Sequence, residues 1–425
     1  MKSALSSLGR RTAAPPISWL MNLALSRPNL ISLAAGFTDN ESLPVDLTRD
    51  LVNEILRHAN RGQPALQYGP TPGDPELRQL TADRLQLLDR EAGGRGAKRR
   101  YDVNRTIITN GSQQLLYMLT EALFDPGDIA LVEDPTYFVY LGIAQSHGLS
   151  VRGLRMEPDG IDLDHLEGRL KELKRSGDLK RLKMLYLVSY HQNPACLTTS
   201  LAKKRAALEL LAKYEKAAGH PIYLLEDSAY RELRFTTDDP PSALTLKGAE
   251  DRVIYTGTYS KPFATGVRAG FGILPADIFS IITRIKGNHD FGTANVIQHV
   301  LTRALKTGKY ERHLEQIQNR YAQKAEVMLT GMQKHFPDSV TWPDTRGGLY
   351  YWGRMPKRVK TGLNSKVFQA ALDAGVFYVP GSLCYADDPT RRKPDHEMRI
   401  SFGAASLKNI RKGIRLLGKV LHDHV

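Results

Sequence analysis

Lys261 stands in the run Thr256-Gly-Thr-Tyr-Ser-Lys-Pro-Phe-Ala-Thr-Gly-Val-Arg-Ala-Gly270. The apolar, β-branched stretch Val253-Ile254-Tyr255 just before it reads as a buried strand. The lysine therefore falls where a strand gives way to a loop. Thr258 and Ser260 flank it with hydroxyls, Gly266 lets the loop bend, and Arg268 adds a fixed positive charge. A primary amine among hydroxyls, free backbone N–H groups and a guanidinium suits a phosphate-bearing aldehyde held as a Schiff base. Burial and a neighbouring cation both lower a lysine pKa, as an imine-forming amine requires near neutrality. Most lysines are solvated surface charges. The neighbourhood is what makes this one a candidate.

Other residues capable of chemistry also sit at strand ends. Asn110-Gly-Ser-Gln-Gln114 lies between an apolar strand and a helix, where free N–H groups and the helix dipole favour an anion. A plain helix N-cap would account for the same residues. Asp134-Pro-Thr-Tyr137 ends the next strand with an aromatic ring, and Ser189-Tyr-His-Gln-Asn-Pro194 ends another. In Glu226-Asp-Ser-Ala-Tyr230 the acid Asp227 follows an apolar strand, a costly place for a carboxylate without a partner. A protonated pyridine nitrogen would serve as that partner. At about 4 Å and an effective dielectric near 20 the pairing is worth about 4 kcal/mol before desolvation. A helix N-cap is the alternative role for Asp227.

The elements that must carry these residues alternate. Short apolar strands at 106–109, 129–133, 183–189, 222–226, 253–256 and 269–274 are separated by helical stretches, among them 113–123, 138–147 and 200–218. Near-continuous apolar strands between helices predict a mostly parallel sheet covered on both faces, an α/β fold. Ligands then bind outside the carboxyl ends of the strands. Before this region come an irregular arm interrupted by Pro15-Pro16, Pro28 and Gly36, with a short helix at 17–26, and helical spacing at 46–60 and 75–92. The Pro- and Gly-dense loop Gln67-Tyr-Gly-Pro-Thr-Pro-Gly-Asp-Pro75 joins the last two. After 295 the pattern changes to a long helical tract at 295–335, strands at 348–353 and 398–402, and a basic C-terminal helix, which reads as a smaller α+β lobe.

At 425 residues the chain exceeds one ordinary core and suggests two or three lobes. With 41% hydrophobic and 24% charged residues it has the composition of a globular enzyme. No apolar run reaches the length of a membrane span, and Met1-Lys-Ser-Ala-Leu-Ser-Ser-Leu-Gly-Arg-Arg lacks the apolar stretch of a secretory signal. The 2 cysteines, Cys196 and Cys384, form no disulfide framework or zinc spacing, so a reducing cytoplasm and no metal are expected. The net charge of +14 raises nucleic acid, anionic membrane and anionic substrates as partners. Its clusters, Ala97-Lys-Arg-Arg100, Lys357-Arg-Val-Lys360 and Arg391-Arg-Lys393, lie apart without a nucleic-acid-binding signature, so neither nucleic acid nor membrane is expected as a partner.

From Ala34-Ala-Gly36 to Met398-Arg-Ile-Ser-Phe-Gly403 the chain resembles the fold-type I, pyridoxal-phosphate-dependent aminotransferases of classes I and II. Within them it is similar to the subgroup of 2-aminoadipate, kynurenine and broad-specificity aminotransferases. The resemblance implies an aspartate-aminotransferase-like fold: an arm at 1–45 that joins the small domain and covers the active site, a large cofactor-binding domain at 46–300 with a mostly parallel seven-stranded sheet, and a small domain at 301–425. It also implies a homodimer with shared active sites. Lys261 would hold the cofactor covalently and carry a proton, and Asp227 would keep the pyridine nitrogen protonated. Asn193 and Tyr230 would bond the ring's phenolic oxygen, with Tyr137 stacked on the ring. Ser112, Gln113, Thr258, Ser260 and Arg268 would hold the phosphate, with Tyr68 supplied by the partner subunit. Arg399 would clamp the substrate carboxylate, although a structural ion pair is its alternative role. Gly36 would let the covering segment approach the substrate, with Asn193 close by. Thr265, Cys196 and Ser228-Ala229 depart from the family's usual residues without removing a functional group.

The implied reaction is ping-pong transfer of an amino group between an L-amino acid and a 2-oxo acid, with 2-oxoglutarate as one partner. The alternative is another reaction on the same cofactor, a β-elimination or a decarboxylation. A ligand-sensing regulator of the same fold would need a preceding DNA-binding segment, and family-like sequence here begins by about residue 30. Substrate choice stays open: Arg10, Arg11 or Arg27 would suit a second carboxylate, whereas Trp19, Leu20 and Tyr68 would suit an apolar side chain.

Overall fold

The computed structural model describes residues 4–27, 29–34, 36–94 and 98–424. The opening 1–3, Pro28, Ala35 and Ala97, used in the reading above, lie outside them. The main sheet is built from β1 (Thr106–Thr109), β2 (Ile129–Asp134), β3 (Ser150–Glu157), β4 (Leu182–Val188), β5 (Tyr223–Asp227), β6 (Val253–Thr258) and β7 (Gly270–Ile273). In space they run β1-β7-β6-β5-β4-β2-β3, and the two-residue strand Gly160–Ile161 folds back onto the end of β3 as an eighth member. Neighbours from β6 through β3 are parallel, and β7 runs antiparallel to both β6 and β1. The expected seven strands are therefore present, with this short hairpin added.

Apolar strands without polar alternation require cover on both faces, and the side-chain parity shows it. On β4, Leu185 and Leu187 enter one core, while Met184, Tyr186 and Val188 enter the other. On β5, Leu224 goes with the first set and Tyr223 and Leu225 with the second. One core is closed by Ala207 and Leu211 of α3 (Leu201–Ala218), the other by Leu115 and Leu119 of α1 (Ser112–Leu123) and Tyr140 of α2 (Phe138–His147). A period of two along a strand means that each residue step changes core.

The C-terminal part carries a three-stranded antiparallel sheet. In it β8 (Tyr350–Arg354) pairs with β9 (Glu397–Ser401), and Val379–Pro380 lies on the other edge of β9. Helices Lys309–His335 and Leu407–His424 pack on each other through Met328, Met332, Ile414 and Leu417. The arm joins this part, because Ile31–Ser32 pairs parallel with Val376–Phe377.

Several stretches differ from the sequence expectation. The spacing at 46–60 resolves into Val45–Leu56 and Ala59–Leu66, separated where His58 turns to extended backbone at φ −122°. The tract at 295–335 is two helices, Asn295–Lys306 and Lys309–His335, because Gly308 adopts a left-handed φ of +63° that breaks the helical path. Strand β3 and the helices Leu163–Ser176 and Ala276–His289 were not anticipated. Among the described residues no helix is long and apolar enough to cross a membrane.

Candidate active site

The carboxyl ends of β1, β2, β4, β5 and β6 open onto one cavity of about 230 Å³, closed from the other side by β8, β9 and the arm. Its lining brings together Gly36, Ser112, Gln113, Tyr137, Asn193, Asp227, Tyr230, Thr258, Ser260, Lys261, Arg268 and Arg399. Tyr68 is not among them. It is 83% exposed and sets its ring edge-on to Phe291 at 5.4 Å.

Asp227 ends β5 with odd parity, so it faces the core of α1 and α2 rather than that of α3. Tyr186 Oη donates to its Oδ2 at 2.9 Å, and the Ala229 amide donates to Oδ1 at 3.1 Å. Burial raises the carboxyl to about 6, the two hydrogen bonds opposing that rise. Among the described residues no cation pairs with it. A buried carboxylate with two neutral donors and no positive partner is a half-made ion pair.

Lys261 reaches the same space. Its Nζ donates to the Gly36 carbonyl at 2.7 Å, and the packing around it, with Arg399 and then Arg268, lowers the amine to about 8. At pH 7 about one amine in ten is then neutral, against roughly one in 3,000 for an unshifted lysine.

A cradle for an anion lies between the start of α1 and the loop after β6. Arg268 takes a left-handed backbone at φ +48°, an uncommon conformation for arginine, and its Nη1 donates to Ser260 Oγ at 3.3 Å. The Ser260 amide donates to Thr258 Oγ1 at 3.0 Å. Gly111, at φ +75°, turns the chain into α1 against the Arg268 guanidinium, and Gly270 packs so closely on the Ser112 amide that no Cβ would fit there. Helix N–H groups, two hydroxyls and a guanidinium thus converge on one point.

Arg399 is 1% exposed, yet its partners are neutral. Nη1 donates to Asn193 Oδ1 at 2.7 Å and Nη2 to the Ala34 carbonyl at 2.8 Å, while Nε has no acceptor among the described residues. Its guanidinium lies 4.2 Å from the centre of the Tyr350 ring. No carboxylate pairs with it among the described residues, so the structural ion pair left open above is not present. Asn193 also donates through Nδ2 to Tyr230 Oη at 3.2 Å. The loop holding Asn193 is fixed by Gln192, whose Nε2 donates to Glu133 Oε2 at 2.9 Å and to the Pro135 carbonyl at 2.7 Å. Burial pushes Glu133 up to about 8.

Gly36 has a reason beyond approach to a substrate: the Tyr350 hydroxyl occupies the space a side chain would need. The reading from sequence missed Tyr350, Phe37, Phe138 and Val139, all in the lining. Tyr350 stands on a strand that was anticipated at 348–353, but nothing local says which face of it meets the cavity. Arg11 is engaged elsewhere, donating from Nε to the Ser146 carbonyl at 3.1 Å behind α2. Among the described residues no group of His, Cys, Asp and Glu is arranged to hold a metal.

A profile of the aminotransferase class I and II family matches residues 28–417. The chain belongs to this family. An uncharacterized aminotransferase of Saccharolobus solfataricus is 33% identical over 393 residues, 92% of each chain. Kynurenine aminotransferase of Pyrococcus horikoshii, solved in complex with PMP, has a TM-score of 0.87 at 29% identity, covering 99% of this chain and 97% of its own. LysN, the α-aminoadipate aminotransferase of Thermus thermophilus solved with N-(5'-phosphopyridoxyl)-L-leucine, has a TM-score of 0.83 at 27% identity over 99% and 97%. The family is pyridoxal-phosphate-dependent, and this aminotransferase transfers an amino group between an amino acid and a 2-oxo acid; an elimination or decarboxylation is not favoured.

Proposed function

We propose that this aminotransferase binds pyridoxal 5'-phosphate in the cavity at Lys261 and acts on L-amino acids by a ping-pong route, with 2-oxoglutarate as one partner. The observation that carries the assignment is a set of buried charges around one space that are unmatched among the described residues: Asp227 without a cation and Arg399 without a carboxylate. Each would be costly alone, and each fits one end of a cofactor and substrate pair.

Bound there, the cofactor supplies an electron sink that stabilises negative charge at the substrate Cα. The chain's own groups do the rest. Asp227 holds the proton on the pyridine nitrogen, and Tyr137 covers the ring. Asn193 and Tyr230 direct N–H and O–H groups at the phenolic oxygen. Ser112, Gln113, Thr258, Ser260 and Arg268 take the phosphate. Arg399 orients the substrate carboxylate, leaving Cα beside Lys261. With its pKa lowered, the Lys261 amine accepts the Cα proton and returns it as a general base and acid. Gly36 brings the arm over the substrate and gives Lys261 a carbonyl to rest on.

Phe37, Phe138 and Val139 in the lining support an amino acid with an apolar side chain over one with a second carboxylate. The division into an arm at 1–45, a cofactor domain at 46–300 and a closing domain at 301–425 belongs to the same proposal, as do a cytoplasmic location and a homodimer in which Tyr68 serves the partner's phosphate site. Support for the dimer comes from Leu66, Tyr68 and Phe291, at 71%, 83% and 55% exposure, of which the two aromatic rings are in contact.

Borohydride reduction of the holoenzyme followed by peptide mapping tests the anchor. The label is expected on Lys261, and a label elsewhere or none overturns the assignment. A panel of amino acids against 2-oxoglutarate tests the substrate class, with leucine-like and aromatic donors expected ahead of acidic ones.

A further inference from the structure

We infer that Tyr350 is a positioning residue of this active site, whose hydroxyl sets the direction in which Tyr230 offers its proton to the cofactor's phenolic oxygen. The inference rests on the cofactor reading above and extends it to a residue outside that assignment. Tyr350 is 1% exposed and lines the cavity, and its Oη lies 3.0 Å from Tyr230 Oη.

The direction is set by the donors around Tyr230 together with the ionised phenolic oxygen that the cofactor would present. Tyr230 Oη accepts from Asn193 Nδ2 at 3.2 Å. Asn193 is itself oriented, because its Oδ1 accepts from Arg399 Nη1 at 2.7 Å, which leaves the amide nitrogen for Tyr230. A phenol has two acceptor positions and one proton. Either hydroxyl of the Tyr230–Tyr350 pair can donate. With Asn193 filling one acceptor position of Tyr230 and an ionised phenolic oxygen in the cavity as the stronger acceptor, the proton of Tyr230 goes to that oxygen and Tyr350 donates into the remaining position. Burial pushes Tyr230 well above its ordinary pKa, so the proton is present at neutral pH. Without the Tyr350 hydroxyl that second position is empty, and Tyr230, no longer polarised by a donor there, gives a weaker hydrogen bond to the phenolic oxygen.

The fold fixes Tyr350 as a positioning residue requires. On β8 it is two residues from Trp352, which lies directly across from Arg399 on β9, so ring and guanidinium share one face and meet at 4.2 Å. Its carbonyl accepts from Cys196 Sγ at 2.9 Å. Cys196 takes a left-handed φ of +62°, where glycine would be easier, and its thiol ties the Asn193 loop to β8. Arg399, Asn193, Tyr230 and Tyr350 thereby close a ring of contacts that joins the carboxylate end of the cavity to the phenolic end.

The test uses the holoenzyme and the pH dependence of the cofactor's visible absorbance, measured for wild type, Tyr350→Phe, Tyr230→Phe and the double variant. Tyr350→Phe keeps the ring and its packing on Arg399 and removes only the hydroxyl. Weakening a hydrogen bond to the ionised phenolic oxygen raises the spectral pKa, so Tyr350→Phe is expected to raise it by about 0.5–1 unit, the scale of one neutral hydrogen bond. In the Tyr230→Phe background the same substitution is expected to do nothing, since the proton it directs is gone. An unchanged spectral pKa in Tyr350→Phe, or an equal shift in both backgrounds, overturns the inference. A wild-type holoenzyme with no visible band, or a borohydride label on a residue other than Lys261, would overturn the cofactor reading itself, a different result from an intact band that does not respond to Tyr350. Equal thermal midpoints for wild type and Tyr350→Phe are expected alongside.

Discussion

Glu226 and Asp227 are neighbours on β5 that face opposite cores, and the protein treats them differently. Glu226 pairs with Lys204 at 2.7 Å, both side chains fully buried, and accepts from the Ala243 amide at 2.7 Å. Close by, Arg231 pairs with Asp89 at 2.7 Å and with Asp239 at 3.1 Å, and Lys204 lies 4.1 Å from the Tyr190 ring. Behind the sheet, Glu226, Lys204, Arg231 and Asp89 thus each meet an opposite charge from the protein. In front of it, Asp227 and Arg399 have neutral partners alone among the described residues, and Lys261 rests on a carbonyl. The same strand thus separates a closed ionic network from an open one. A buried charge left unpaired is expensive, so a fold that keeps several around one cavity has left room for a charged ligand.

Four measurements break or sharpen this contrast. The largest effect is expected at Asp227→Asn: turnover falls about 10³-fold, the equivalent of about 4 kcal/mol of lost pairing, while stability of the cofactor-free protein is held or rises. A loss under tenfold would mean that Asp227 is not the ring's counter-charge. Behind the sheet the outcome reverses. Lys204→Met strands Glu226 and is expected to cost about 3 kcal/mol in denaturant unfolding, with turnover per folded molecule unchanged. Adding Glu226→Gln to it should recover much of that stability. If Lys204→Met proved neutral, the back network would not be compensated as described.

Next in size is Arg399→Lys, which keeps the charge and loses the fork. We expect a KM for the amino acid about 30-fold higher, close to 2 kcal/mol, with a smaller change in kcat; a change confined to kcat would argue against carboxylate binding. The smallest effect is a pH slope. The Asp227 carboxyl rises from 3.8 to about 6 on folding, so between those values the native state binds more protons than the unfolded one. Its contribution to stability therefore declines as pH rises from about 4 to 6, by at most about 1 kcal/mol per unit. The unfolding free energy of cofactor-free Asp227→Asn minus that of wild type should widen over that interval, and a flat difference would show that Asp227 has no raised pKa.

Much of the site was legible because its residues are local to strand ends. A lysine loop after Val253-Ile254-Tyr255, an acid after Tyr223-Leu224-Leu225 and a helix start after Thr106–Thr109 all follow from the rule that parallel strands present their carboxyl ends together. Where signals were missed, the local pattern was weak or interrupted. Strand β3 lies toward the edge of the sheet, and Arg152 and Arg155 interrupt its apolar pattern. The break before Lys309–His335 turned on one left-handed glycine, Gly308.

By itself the sequence determined the alternation of elements, the parity that sends Glu226 and Asp227 to opposite faces, and the chemical types gathered near Lys261, since all of these depend on neighbours along the chain. Only the tertiary structure decided which charges found partners. Lys204 reaches Glu226 from helix α3, Arg399 meets Asn193 from the far lobe, and Tyr350 closes on Tyr230 across the cavity. Such pairings depend on how distant elements pack, and spacing along one strand or loop carries no information about them.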